Sequence, residues 1–215
     1  MIGAVLFDLD GTFADTAPDL GAAVNRMRAD RGLSPVPLSE TRRVTSLGAR
    51  GLLGAGFGIG PDHPDYPAMR EEFLDLYRRN LCIHSTPFPG MAELVDRLEA
   101  AGLCWGIVTN KSEQLALPLL LQLGYAERAG CLIGGDTTAH MKPHPAPLLA
   151  GAAAIGVPPS RCAYVGDDER DIIAGRAAGM TTIAVRFGYL NGSKPEDWGA
   201  DHVVDTALDI FGLVT

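Results

Sequence analysis

Two aspartates near the start of the chain have the spacing of a metal-binding pair. The stretch AVLFDLDGT, residues 4–12, begins with four apolar residues, as in a buried strand, and continues with Asp8, Asp10 and Gly11. Both carboxylates lie on one face if the strand stays extended, whereas a turn at Gly11 leaves them at the strand's exit. Close carboxylates repel each other unless a cation lies between them, and Mg²⁺ prefers oxygen ligands. Taken alone, the pattern also fits a polar turn.

A second group of aspartates follows the apolar run 162–165. Asp167 lies at the exit of this predicted strand, so we expect it to be a metal ligand. Asp171 is close enough in sequence to act as an outer ligand or to orient a bound water. Asp168 is better explained as a helix cap, because acidic residues favour helix N-termini.

Phosphate-binding groups are expected at two further places. Thr109 and Asn110 follow the strand-like run 103–108, and a hydroxyl, an amide and backbone N–H groups can together hold phosphate oxygens. Lys142 lies in the stretch MKPHP and is one of only three lysines in the chain. We expect Lys142 to bridge a phosphate and a carboxylate. A solvated surface lysine is the alternative.

These groups have the composition of a phosphoryl-transfer site. A carboxylate can attack phosphorus to give an aspartyl-phosphate, which water then cleaves. Asp8 is the better nucleophile because the strand fixes it, and Asp10 is the better acid and base for the leaving oxygen and the water. Mg²⁺ would neutralise charge so that an anionic nucleophile can approach the phosphate.

A regular alternation of strands and helices positions these residues. Apolar strand-like runs alternate with helical patterns in residues 86–215, and residues 1–14 supply one more strand. This pattern predicts an α/β fold, a parallel sheet with helices on both faces. The site of such a sheet lies at the carboxyl ends of its strands, so Asp8, Thr109 and Asp167 are expected to converge.

Residues 15–85, called the helical segment below, have a different pattern. Helical periodicity at 18–31 and 68–81 and the lack of a convincing strand predict a separate, all-helical domain. The glycine-rich run 48–60 is predicted to begin as a loop. Such a loop would let Arg50 approach a substrate carboxylate, although a solvated arginine is equally expected.

Four motifs, taken in order, resemble those of the haloacid dehalogenase superfamily of phosphatases. They are DLDGT from Asp8, TN from Thr109, KP from Lys142 and GDDERD from Gly166. The resemblance covers the whole chain. It implies a Rossmann-like catalytic core of residues 1–14 and 86–215 with a small helical cap inserted between the first and second motifs.

The resemblance also implies a role for each motif residue. Dehalogenases of this superfamily lack the second aspartate, so the presence of Asp10 implies phosphoryl transfer. Phe13, where the family usually has leucine, is a departure that changes nothing in the site. The implied roles are Asp8 as nucleophile and metal ligand, Asp10 as acid/base and, through its backbone carbonyl, metal ligand, Thr109 and Asn110 as phosphate ligands, Lys142 as the bridge between phosphate and Asp8, Asp167 as Mg²⁺ ligand, and Asp171 in support of the metal.

The motifs leave the substrate open. The chain looks most like phosphoglycolate phosphatases, while the stretches 105–111, 184–189 and 197–201 are also similar to bacterial phosphatases acting on N-acetylmuramic acid 6-phosphate. A phosphomutase of the β-phosphoglucomutase type shares the same motifs. A phospho-accepting signalling domain also uses an aspartate cluster and Mg²⁺, but it would lack a cap and would place its phosphorylated aspartate on a later strand. The helical insertion and the Asp8/Asp10 pair therefore argue against it.

Charge and hydropathy narrow the class of partner. The net charge of −8 argues against non-specific nucleic-acid binding, which needs a basic surface. No apolar run reaches the ~20 residues that span a bilayer, and no secretory signal is visible. We therefore expect a cytoplasmic enzyme, monomeric or homodimeric, that acts on a small phosphorylated metabolite.

Overall fold

Six parallel strands form one sheet with the first motif at its centre. The computed structural model describes residues 1–215, and its strands are β1 (Ala4–Phe7), β2 (Ala14–Asp15), β3 (Thr86–Pro87), β4 (Cys104–Val108), β5 (Leu132–Ile133), β6 (Cys162–Gly166), β7 (Thr181–Val185) and β8 (His202–Val204). The sheet order is β5-β4-β1-β6-β7-β8, and all neighbours are parallel. The predicted parallel sheet is therefore confirmed.

Helices cover both faces of the sheet because its central strands bury side chains on both sides. The helices are α1 (Ala17–Ala29), α2 (Leu38–Arg43), α3 (Gly48–Phe57), α4 (Tyr66–Arg79), α5 (Met91–Ala100), α6 (Glu113–Leu123), α7 (Ala146–Ala154), α8 (Glu169–Ala177) and α9 (Asp209–Val214). Val5 and Phe7 of β1 pack in one apolar cluster with α5, α6 and α9. Ala4 and Leu6 pack in a second cluster with α7 and α8. None of the helices combines the length and the apolar character that crossing a membrane requires.

The helical segment contains α1 to α4. Helix α1 contacts the other three, and Val24, Leu52 and Phe73 are buried between them. Strands β2 and β3 pair antiparallel where the chain enters and leaves the segment, with Asp15 opposite Thr86. The two connections to the core therefore lie side by side.

The prediction of a loop at Gly48 is wrong, because the chain is helical from Gly48 to Phe57. The reason lies in packing. A Cβ atom at Gly56 would lie 2.5 Å from Val24 Cγ1, so a glycine there lets α3 approach α1 closely. Arg50 consequently lies in the first turn of a helix and not in a flexible loop.

Candidate active site

Three strand ends meet at the candidate site. Asp8 follows β1, Thr109 follows β4 and Asp167 follows β6. Because β4, β1 and β6 are parallel neighbours, their carboxyl ends lie at one edge of the sheet. The structure thus brings together the residues that the strand pattern selected.

Lys142 is a buried cation within this group. Its ammonium lies 2.9 Å from Asp8 Oδ1 and 2.7 Å from Asp171 Oδ1, and it donates a 2.8 Å hydrogen bond to the Tyr164 hydroxyl. Burial alone would lower the pKa of Lys142, but the charges of Asp171 and Asp8 outweigh it and raise that pKa. The lysine is therefore charged, and a solvated surface position is excluded.

Asn110 fixes the backbone that carries Lys142. Its Nδ2 donates to the Lys142 carbonyl at 3.0 Å, and the Lys142 N–H donates to Asn110 Oδ1 at 2.9 Å. Both ends of this amide are thus engaged, and the contact between Asn110 and phosphate stays a prediction. Thr109 is buried beside them, and its hydroxyl accepts a 3.2 Å bond from the Lys111 N–H. The Thr109 hydroxyl proton is left available for a ligand.

Asp8, Asp167 and Asp171 form a carboxylate cluster. One oxygen from each lies within 4.8 Å of the others, and Asp167 and Asp171 are only 1% exposed. Burial first, and then the charges of Asp8 and Asp171, raise the pKa of Asp167 well above its usual value. Burial also outweighs the Lys142 ammonium and raises the pKa of Asp171 to about 7. Buried oxygens that resist ionisation in this way are a donor set that a hard divalent cation fits.

Asp167 is held by groups from two distant parts of the chain. The Thr12 hydroxyl donates to its Oδ1 at 2.9 Å, and the Tyr189 N–H donates to its Oδ2 at 2.7 Å. A Cβ atom at Gly188 would lie 2.2 Å from Asp167 Cβ, and one at Gly11 would lie 2.2 Å from Asp167 Oδ2. Thr12 belongs to the first motif, but no sequence signal connects Tyr189 or Gly188 with the site.

Asp168 caps helix α8, as predicted. Its side chain accepts a 3.0 Å bond from the Arg170 N–H, and its own N–H donates to Asp171 Oδ2 at 3.1 Å. The two bonds form a reciprocal capping box. Asp171 therefore has one oxygen on the helix terminus and the other on Lys142.

Asp10 is held by a lysine to which the sequence analysis gave no role. The Lys111 ammonium lies 2.9 Å from Asp10 Oδ1 and 3.2 Å from Oδ2, and the Thr16 hydroxyl donates to Oδ1 at 2.5 Å. A signal existed, because Lys111 is one of three lysines and directly follows Asn110. The Asp10 carboxylate is thus oriented both by the core and by Thr16, the residue immediately before α1.

A cleft of about 470 Å³ lies between the core and the helical segment. Its core side includes Asp8, Asp10, Thr109 and Lys142, and the opposite side includes the exposed Arg50. The other lining residues of the helical segment are Leu20, Thr45, Ser46, Leu47, Gly48, Ala49, Tyr66, Arg70, Phe73, Leu74 and Tyr77. A ligand in the cleft would touch both parts of the chain.

Comparison with known proteins gives the same family as the motifs. Residues 5–185 match the family model of haloacid dehalogenase-like hydrolases. The chain is 47% identical over 212 residues to N-acetylmuramic acid 6-phosphate phosphatase of Pseudomonas aeruginosa, covering 98% of this chain and 94% of that protein. It is 49% identical over 203 residues to phosphoglycolate phosphatase of Xanthomonas campestris pv. campestris, covering 94% of this chain and 91% of that protein.

The match extends to a solved structure. A predicted phosphoglycolate phosphatase from Haemophilus somnus 129pt aligns with a TM-score of 0.88 at 26% identity, covering 100% of this chain and 98% of that one. The matched span includes all four motifs, and both curated relatives are phosphatases, so the chain is a phosphoric monoester hydrolase. It belongs to the haloacid dehalogenase-like hydrolase family.

Proposed function

We propose that this protein hydrolyses a small phosphomonoester with Mg²⁺, through an aspartyl-phosphate on Asp8. The observation that carries the proposal is the pairing of Asp8 with Lys142 inside the carboxylate cluster. The positive charge of a lysine 2.9 Å from the nucleophile also attracts the phosphate that the nucleophile attacks. Phosphate and nucleophile are thereby drawn to the same point.

The first half of the reaction transfers the phosphoryl group to the enzyme. An Asp8 oxygen bonds to phosphorus, and the bond between phosphorus and the alcohol oxygen breaks. Asp10 enters this step protonated, donates its proton to that leaving oxygen and is left as a carboxylate. The positive charge of Lys142 and a hydrogen bond from the Thr109 hydroxyl stabilise the negative charge on the remaining phosphate oxygens.

The second half returns Asp8 to its starting state. A water molecule bonds to phosphorus while Asp10 takes its proton, and the bond between Asp8 and phosphorus breaks. Lys111 and Thr16 hold the Asp10 carboxylate, so the same oxygen can give the first proton and take the second. Inorganic phosphate is then released.

The metal would be held by the carboxylates of Asp8 and Asp167 and by the backbone carbonyl of Asp10, with Asp171 in support. When bound, Mg²⁺ supplies positive charge that reduces repulsion between the phosphate and Asp8. The raised pKa values of Asp167 and Asp171 support this assignment, because a cation relieves the burial of both charges.

The helical segment, residues 15–85, is proposed to act as a cap on the core of residues 1–14 and 86–215. It supplies one wall of the cleft, and its two connections lie side by side at β2 and β3. A cap of this kind excludes water from the site during transfer of the phosphoryl group. Arg50 on that wall is proposed to bind a carboxylate of the substrate.

The first candidate substrate is 2-phosphoglycolate, because one group of relatives has the name phosphoglycolate phosphatase. The size of the cleft favours a second candidate. A volume of about 470 Å³ is within the ~300–1,000 Å³ typical of small-molecule sites and leaves room beyond a two-carbon ester. N-Acetylmuramic acid 6-phosphate, named in the other relative, is larger and also has a carboxylate.

The test is phosphate release from a panel of esters with Mg²⁺. The panel contains both candidates, glucose phosphates and p-nitrophenyl phosphate, and the variants are Asp8→Asn and, as a matched control, the exposed Asp205→Asn. We expect one ester to reach a kcat/KM above ~10⁴ M⁻¹s⁻¹, with loss of activity only in Asp8→Asn. Activity that persists in Asp8→Asn contradicts the assignment of Asp8 as the nucleophile. Sugar-phosphate isomerisation without phosphate release would instead identify a mutase.

A further inference from the structure

Lys111 has hydrogen-bonding capacity that Asp10 does not use. An ammonium group has three donors, and the two Asp10 oxygens accept at most two of them. The Lys111 side chain is 6% exposed and lines the cleft, so its third donor is not spent on bulk solvent. Lys111 forms an ion pair with Asp10, with 2.9 Å between Nζ and Oδ1.

Tyr77, in helix α4 of the helical segment, lies against this lysine. The Lys111 Nζ atom is 4.6 Å from the centroid of the Tyr77 ring, a cation–π distance. Tyr77 is 1% exposed, and the proton of its hydroxyl meets no acceptor in the protein. Burial raises the pKa of Tyr77 to about 12, so the hydroxyl keeps its proton and remains a donor.

A purely structural role explains the Tyr77 ring but not its hydroxyl. The ring stacks on Phe73 with centroids 6.4 Å apart, and phenylalanine would pack equally well there. A buried hydroxyl proton without an acceptor costs free energy, so natural structures usually pair such donors. Tyr77 also lines the cleft that contains Asp8 and Asp10. The missing partner is therefore expected to come from the ligand.

We propose that Lys111 and Tyr77 together bind an oxygen acceptor on the alcohol part of the substrate, close to the ester oxygen. The position rests on the proposed function, in which Asp10 protonates that ester oxygen, because Lys111 is 2.9 Å from Asp10. The class of substrate selected is a phosphomonoester with a carboxylate, hydroxyl or ether oxygen near the ester carbon. The two residues come from the core and from the helical segment, so the acceptor is bound only when both line one cleft.

The experiment compares esters with and without such an oxygen. We would measure kcat and KM for three esters. In 2-phosphoglycolate a carboxylate adjoins the ester carbon, in N-acetylmuramic acid 6-phosphate the ring oxygen is on the neighbouring carbon, and p-nitrophenyl phosphate has neither group. The variants are Tyr77→Phe and Lys111→Met. The matched controls are Tyr125→Phe, which lies outside the cleft, and the exposed Lys194→Met.

We expect the ratio of kcat/KM for the better oxygen-bearing ester to that for p-nitrophenyl phosphate to fall about tenfold in Tyr77→Phe, mainly through KM. In Lys111→Met the ratio falls further, and kcat falls for every ester because Asp10 is released. Neither control changes the ratio. The better ester identifies whether a carboxylate or a sugar oxygen is the acceptor.

A ratio within twofold of wild type in both Tyr77→Phe and Lys111→Met overturns the inference, and Lys111 then serves Asp10 alone. Folding is checked by the melting temperature, which we expect to be unchanged or higher in Tyr77→Phe because an unpaired hydroxyl is removed. If Tyr77→Phe is instead destabilised, the kcat/KM ratio measured in Lys111→Met decides whether the inference holds. A wild-type protein that releases phosphate from no ester, or an active Asp8→Asn, overturns the proposed function itself, which these ratios do not test.

Discussion

Gly188 restricts the position of the Asp167 carboxylate, the proposed metal ligand. The backbone at Gly188 passes so close to Asp167 that an added Cβ atom would lie 2.2 Å from Asp167 Cβ and 2.5 Å from the Gly11 carbonyl oxygen. Real Cβ atoms do not approach so closely, so a side chain at this position must displace Asp167 or the turn at Gly11. The next residue, Tyr189, donates its N–H to Asp167 and would move with it.

We therefore predict that Gly188→Ala weakens the use of Mg²⁺. Changes around metal ligands commonly cost about 10–100-fold in metal affinity, so the Mg²⁺ concentration for half-maximal activity should rise by at least about tenfold. The measurement is a Mg²⁺ titration of phosphate release, with Gly212→Ala in α9, where an added Cβ meets no atom within 4 Å, as control. An unchanged Mg²⁺ requirement in Gly188→Ala would mean that Asp167 tolerates displacement or is not a ligand.

At the scale of secondary-structure elements, the first turn of α8 joins the core to the helical segment. Arg170 donates from Nη2 to the Ser46 carbonyl at 2.7 Å, and its Nε donates to Asp168 Oδ1 at 2.7 Å. Ser46 lies in a short 3₁₀ helix, Thr45–Leu47, immediately before α3. One side chain thus connects the helix that carries Asp171 to the wall of the cleft.

We predict that Arg170→Met lets the helical segment open more often. A charge-assisted hydrogen bond contributes about 1.5 kcal/mol or more, so KM should rise about tenfold with a smaller effect on kcat. Backbone hydrogen exchange over residues 45–57 should become faster. Arg176→Met, at an exposed position of the same helix, is the control. Unchanged exchange and KM would show that other contacts hold the segment.

The elements also show what the sequence could and could not predict. The strands and the residues that follow them were predictable, because apolar runs and motif spacing are local and a parallel sheet brings its carboxyl ends together. The helix α3 was not predictable, because Gly56 serves a packing contact with Val24 that no local pattern records. Tyr189 was missed for the same reason, since its contact with Asp167 joins residues 22 positions apart. A role for Lys111 in the site, in contrast, was predictable, because the chain has only three lysines and this one directly follows Asn110.

At the scale of the whole molecule, the carboxylate cluster affects the free energy of unfolding. In the metal-free protein Asp167 and Asp171 have pKa values above those of the unfolded chain, where an aspartate titrates near ~3.9. Between the unfolded and the folded pKa the native state binds more protons than the unfolded state, so its stability falls as the pH rises. Lys142 reduces this effect but does not reverse it, because the pKa of Asp171 still rises to about 7.

We predict that the metal-free protein loses stability from about pH 4 to about pH 7, and that Mg²⁺ restores it most at the upper end. Binding requires ionised carboxylates, so at low pH the ion must displace protons and stabilises less. The measurement is the melting temperature with Mg²⁺ minus that with a chelator, taken at several pH values. The difference should grow with pH in the wild type and in Asp205→Asn and be small throughout in Asp167→Asn. A shift that does not depend on pH, or that persists in Asp167→Asn, would mean that Mg²⁺ acts elsewhere on the molecule.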